Sequence, residues 1–233
     1  MLHLRLFSAT APCIPPSSSF SVEEYLTENC GLTRPQALKA SAKLSHLKSP
    51  SKPDAVLAFL AGLGLSSADV AAVVAKDPQF LCAKLQRTLA PIAAGLTGLG
   101  LSHSEIGRLL SLAPTNFRCK SVVSNIPYYL SLFGSYEDVL RAVKRGPYLL
   151  SSDLENTVKP TVAYLHECGL GACSIAQLLI DEPWVIGTKP ERLQEMVASA
   201  EGLGVPRGSV MFRHALRASP SSAKRRSQPK WRT

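Results

Sequence analysis

The sequence predicts an all-α protein built from stacked helical repeats. Three observations carry that expectation: a unit of roughly 35 residues that recurs at least four times, Gly and Pro at fixed places in it, and apolar residues at helical spacing between them. In each unit an apolar segment ends at Gly and a capping residue follows. Apolar positions then come at i, i+3 and i+4, and Pro at i+8. The glycines are Gly64, Gly100, Gly134 and Gly169. The triples and prolines are Val70/Val73/Val74 with Pro78, Ile106/Leu109/Leu110 with Pro114, Val139/Ala142/Val143 with Pro147, and Ile175/Leu178/Leu179 with Pro183. The prolines are spaced 36, 33 and 36 residues apart. A fixed period of this size marks a solenoid, in which each unit buries its apolar face only against its neighbours.

Taken in order, residues 1–20 contain no acid, one Arg (Arg5), several Ser and a short apolar start, which together suggest an organelle transit peptide. The array is expected over residues 21–216. It opens on a divergent capping unit, with Cys30-Gly31-Leu32, Thr33 with Gln36 in capping-box spacing, and Ala37, Ala40 and Ser41 on the stripe.

The unit from Asp54 to Arg87 illustrates the rest. Asp54, after Pro53, is the expected cap of a first helix with Leu57, Leu60, Ala61 and Gly64 on one face. Gly64 closes that helix by taking positive φ. Ser66 opens the second helix, with Asp69 three residues on. Pro78 ends it near Lys76, because proline lacks an N–H and biases Asp77 away from helical geometry. Phe80 and Leu81 then tuck under the unit, and a short third turn leads to Thr88.

The same punctuation returns as Ser102/Glu105, Ser135/Asp138, Leu149/Leu150 and Val185/Ile186. A fifth unit begins at Leu193 and reaches Gly204 and Val210. It is expected to fail there, with Arg213 and His214 on the stripe and Ala218 in place of Pro. Residues 217–233 read as a basic, disordered tail.

Composition limits the function. The 233 residues are 45% hydrophobic, ample for a core, and no run of 18 apolar residues exists to cross a membrane. The net charge of +9 is concentrated: residues 207–233 carry eight basic residues and no acid, so the array itself is near neutral. Any basic surface on the array must therefore come from arrangement. The six cysteines (13, 30, 82, 119, 168, 173) lack Cys-x-x-Cys spacing and a companion His pair, so they read as reduced, packed thiols. Cys168 and Cys173 are close enough in sequence to approach on a helix. No phosphate loop, dinucleotide fingerprint or His-Glu-x-x-His motif is present, which argues against an enzyme. No cofactor or small-molecule substrate is expected.

The register also arranges the charge. Six residues after each Pro stand Lys84, Lys120, Asp153 and Lys189; nine after stand Arg87, Val123, Asn156 and Arg192. Arg118 and Lys159 lie nearby in the repeat. Lysines at one equivalent position form a ladder suited to a phosphate backbone. A solvated turn that merely favours Lys is the plainer alternative. A second group, Arg141, Lys144 and Arg145, shares a helix with the Val139 stripe and reads as an ordinary solvated face.

The units, with Leu-x-x-Leu-Gly-Leu-Ser, the triple and Pro-x-Phe/Leu-Leu, resemble the motif of the mitochondrial transcription termination factor (mTERF) family. The stretch Val22–Leu65, with Cys30-Gly31-Leu32-Thr33 and Lys52-Pro53-Asp54-Ala55-Val56-Leu57, is similar to the land-plant branch, as is Ser209-Val210-Met211-Phe212-Arg213. The resemblance implies a left-handed superhelix with two helices and a short third helix per unit. It also implies localisation in the mitochondrion, with the chloroplast as alternative. The implied partner is nucleic acid, chiefly double-stranded DNA, bound by a monomer without catalysis. Family roles include transcription termination or regulation, RNA maturation and ribosome assembly. Two other readings stay open from the residues: a protein-binding scaffold, and a pentatricopeptide-like RNA reader, against which the mid-unit Pro argues.

Overall fold

The computed structural model describes residues 20–209 and 211–218. Apart from Phe20, the expected targeting segment lies outside the described residues, as does the tail from Ser219 onward; Arg217 and Ala218, expected in that tail, belong instead to the last helix. The described residues are helical throughout, with no strand.

Two short helices, α1 (Val22–Glu28) and α2 (Arg34–Ser41), cover the first full unit. That unit is α3 (Ser51–Gly62), α4 (Ser67–Lys76) and a 3-10 turn, Pro78–Cys82. A π turn at Leu85–Leu89 runs into α5 (Ala90–Gly98), followed by α6 (His103–Leu112) and the single-turn α7 (Pro114–Phe117). The third unit is α8 (Ser121–Phe133), α9 (Tyr136–Arg145) and a 3-10 turn, Pro147–Ser151. The fourth starts with a π turn at Leu154–Val158, then α10 (Lys159–Glu167), α11 (Ala172–Asp181) and the turn Pro183–Val185. The last has α12 (Pro190–Gly202) and α13 (Phe212–Ala218). The second helices α4, α6, α9, α11 and α13 stack in sequence order, as a solenoid requires.

The punctuation acts as the sequence predicts. Gly64, Gly100, Gly169 and Gly204 have φ between 77° and 91° and end their helices in the same way. The next residue folds back onto the carbonyl five residues earlier: Leu65 on Leu60 (3.2 Å), Leu101 on Leu96 (3.2 Å), Leu170 on Leu165 (3.2 Å) and Val205 on Ala200 (3.3 Å). This is the Schellman closure, and it satisfies carbonyls that a helix end leaves open. Ser66 accepts from Asp69 N at 3.2 Å while Asp69 accepts from Ser66 N at 3.1 Å. Ser102 and Glu105 repeat that exchange. These bonds hold the exposed Asp69 and Glu105 carboxyls below their ordinary range, the serine side-chain bond contributing most. All four apolar triples are buried, as are the post-proline pairs Phe80/Leu81, Leu149/Leu150 and Val185/Ile186. Each fully buried aliphatic or Phe side chain stabilises by about 1.5–3 kcal/mol relative to exposure.

Three local expectations are corrected. First, α3 starts at Ser51 with Pro50 as its cap residue, so Asp54 lies in the first turn. Pro53 is tolerated there, because first-turn N–H groups have no partner inside the helix. Asp54 instead accepts the Tyr25 hydroxyl at 2.5 Å and ties α3 to α1. Burial, reinforced by this bond, raises the Tyr25 phenol; burial and the same carboxylate push the Cys30 thiol up to about 12. Second, the buried stripe of α3 is Pro53, Val56, Leu60 and Leu63, while Ala61 and Gly64 are exposed. The segment is apolar nearly all round, so periodicity alone does not select the face that meets the Pro78–Cys82 turn.

Third, the fifth unit does not fail where expected. Phe212, Ala215 and Leu216 form its buried i, i+3, i+4 triple, and Arg213 and His214 lie off it. The triple begins eight residues after Gly204, against five or six in the other units. The added length folds over the preceding repeat: a Cβ on Gly169 would meet Gly208 N at 3.0 Å. Pro220 then stands eight residues after Phe212, in register with the other prolines, though outside the described residues. Cys168 and Cys173 sit on opposite sides of the Gly169 turn, the first buried and the second exposed.

Candidate nucleic-acid interface

The cations divide by what holds them. Along the second helices they lock one repeat to the next. Lys76 donates to Ser111 O (2.8 Å) and Arg145 to Asp181 O (2.7 Å), each capping the following helix across 35 or 36 residues. A cation at a helix C-terminus complements the dipole and the open carbonyls. Arg108 grips Glu137 through two bonds, at 2.6 and 2.9 Å. Arg217 reaches Asp181 (3.2 Å) and Glu182 (3.4 Å). Arg141 pairs with Asp138 on its own helix at 2.6 Å. Most of this face's positive charge is therefore answered from within the fold.

The starts of the first helices differ. Lys84 precedes the π turn that leads into α5, and Lys120 and Lys189 occupy the position just before the first turns of α8 and α12. All three are exposed, and none of these helix starts has a side-chain cap. Lys84, Arg87, Lys120 and Lys189 make no ion pair or side-chain hydrogen bond among the described residues. Each ammonium thus stands beside a helix N-terminus, where the backbone dipole adds positive potential. Each lysine stands six residues after its repeat's proline, so the three are equivalent in the repeat register.

The other candidates are placed differently. Arg118 binds Asp77 at 2.8 Å, and Asp77 is buried. Lys159 is paired with Glu155 one turn away. Arg192 is half-buried and already in contact with another group. Sequence spacing carried no sign of Asp77, 41 residues from Arg118, whereas Glu155 four residues before Lys159 was a readable pairing signal.

Asp153 is the residue whose local role spacing did not foretell. Its Oδ1 accepts from Glu155 N and Asn156 N, both at 3.0 Å, and its Oδ2 accepts from Asn156 Nδ2 at 2.8 Å. The bonds from Asn156 above all hold its carboxyl below the ordinary range. A signal was available: Asp followed three residues later by Asn, just before an apolar helix, is a cap pattern. Among the described residues no group of three or more His, Cys, Asp or Glu side chains is placed to hold a metal ion.

The fold is a helical-repeat solenoid with exposed lysines at equivalent repeat positions. A family model described as mTERF matches residues 51–220, and the chain belongs to that family. The match ends at Pro220, the proline in register with the fifth unit. Membership implies a nucleic-acid-binding regulator of organellar gene expression, in a family whose proteins are generally non-catalytic. Comparison with curated proteins finds no match.

Proposed function

We propose that this chain docks on the backbone of double-stranded DNA through the Lys84/Lys120/Lys189 edge and regulates transcription, including its termination, as a monomer. The observation that carries the reading is the set of three exposed, unpartnered lysines at equivalent helix starts, where the neighbouring candidates Arg118 and Lys159 are paired. Packed helices lie roughly 10 Å apart. That is near three base steps at about 3.4 Å per strand, so consecutive rungs meet phosphates at a regular interval. Arg87 supports the first rung. Such contacts position the protein without reading bases.

The test titrates a 30-base-pair duplex and a single-stranded RNA against wild type and the Lys84/Lys120/Lys189→Ala triple variant over a range of salt. Three lost duplex contacts should reduce the log–log salt slope by about 2.7, at about 0.9 per contact. An unchanged slope and affinity would sink the interface. Tighter binding of the RNA would shift the role to RNA maturation or ribosome assembly. No binding to either would favour the protein-scaffold reading.

The acid-free, serine-rich start supports targeting to the mitochondrion, with the chloroplast as alternative, and the Val22–Leu65 stretch supports the land-plant branch. A fluorescent fusion of residues 1–40 should enter the organelle; a cytosolic signal would refute this.

A further inference from the structure

We propose that Asp153 is a built-in break in the cation edge, dividing the backbone contacts of this chain into two clusters. The inference rests on the docking surface proposed above. In the repeat register Asp153 stands where the other units have Lys84, Lys120 and Lys189. It replaces more than a charge. Its carboxylate sits on the N–H groups of Glu155 and Asn156, the position a bound phosphate oxygen would take at a helix start. Asn156 Nδ2 holds the second oxygen, so the carboxylate is fixed by three bonds.

The surroundings reinforce the break. Glu155 engages Lys159, the nearest candidate cation, and leaves this rung with two acids against one base. The first rung, by contrast, has Lys84 and Arg87 with no acid between Ala83 and Ala90. A polyanion lying along the edge is therefore held by the first two rungs, repelled at the third and held again at Lys189. Asp153 would set the footprint and limit the affinity, keeping the chain exchangeable on its target.

The test uses the full chain, the same 30-base-pair duplex and RNA, and two variants. Asp153→Lys adds the missing rung but removes the cap. Asp153→Asn removes the charge and keeps a good cap residue, which guards against a folding failure of the first variant. Asp153→Lys should bind the duplex roughly 5-fold more tightly at 0.1 M salt, with a salt slope steeper by about 0.9. Asp153→Asn should gain roughly 2-fold with little change in slope. Circular dichroism checks that both are folded.

Unchanged affinity in both variants, while the lysine triple variant still loses binding, would overturn this inference and leave the docking surface standing. Weaker binding of both variants would also overturn it, because Asp153 would then support binding and not oppose it. If the lysine triple variant binds like wild type, the docking reading itself fails.

Discussion

Phe212→Ala is expected to destabilise the C-terminal repeat by about 3–5 kcal/mol, the range for removing a buried Phe. Phe212 is fully buried, and it begins the triple that packs α13 against α12 and α11. In a solenoid a terminal unit has only one neighbour, so a loss of this size exceeds what its single interface returns. The last repeat should then open while the preceding ones stay folded. Hydrogen exchange resolves this: amides of α12 and α13 lose protection, and those of α6 and α9 keep it. The control is His214→Ala, two residues from Phe212, exposed and off the stripe, expected to stay within about 0.5 kcal/mol of wild type. Equal effects from the two substitutions would mean that the stripe runs through His214 after all.

Arg118→Ala is expected to cost about 2–3 kcal/mol. Removing one partner of a buried pair leaves the other charge uncompensated, at about 3–5 kcal/mol when both are fully enclosed. Here Asp77 has 9% side-chain exposure and Arg118 28%, so water screens part of the cost. The pair joins the residue before Pro78 to the segment between α7 and α8, so its loss loosens the boundary between two repeats. Chemical denaturation reads the change. Adding Asp77→Asn to Arg118→Ala should recover part of the loss, because the stranded charge is gone, and a double-mutant cycle isolates the coupling. The same variant separates structure from binding. If Arg118 serves Asp77, the salt slope of nucleic-acid binding should match that of wild type at temperatures where the variant is folded. A slope reduced by about 0.9 would return Arg118 to the interface.

Much of the architecture was legible because it depends on local chemistry. Gly64 and Gly100 take φ of 78° and 91°, which favours a residue without Cβ. Ser66 with Asp69 closes a capping box with no outside help. Pro78 stops α4 through its own missing N–H. These signals act within a few residues, so their order along the chain discloses the repeat. The α3 face and the fifth unit depart from the sequence expectation for a common reason. Both depend on which neighbour a segment meets, and an all-apolar helix or a loop longer by two residues disguises the register.

The sequence by itself determined the class of fold, the helix boundaries set by Gly, Ser and Pro, and the column that holds Lys84, Lys120, Asp153 and Lys189. Only the tertiary structure decided which cations in and around that column are available. Lys84, Arg87, Lys120 and Lys189 make no ion pair among the described residues, whereas Arg118 is answered by Asp77. The physical reason is range. Helix caps and turns are set by residues three to five positions apart, which sequence shows directly. The Arg118–Asp77 pair joins residues 41 positions apart, brought together only by the stacking of one repeat on another.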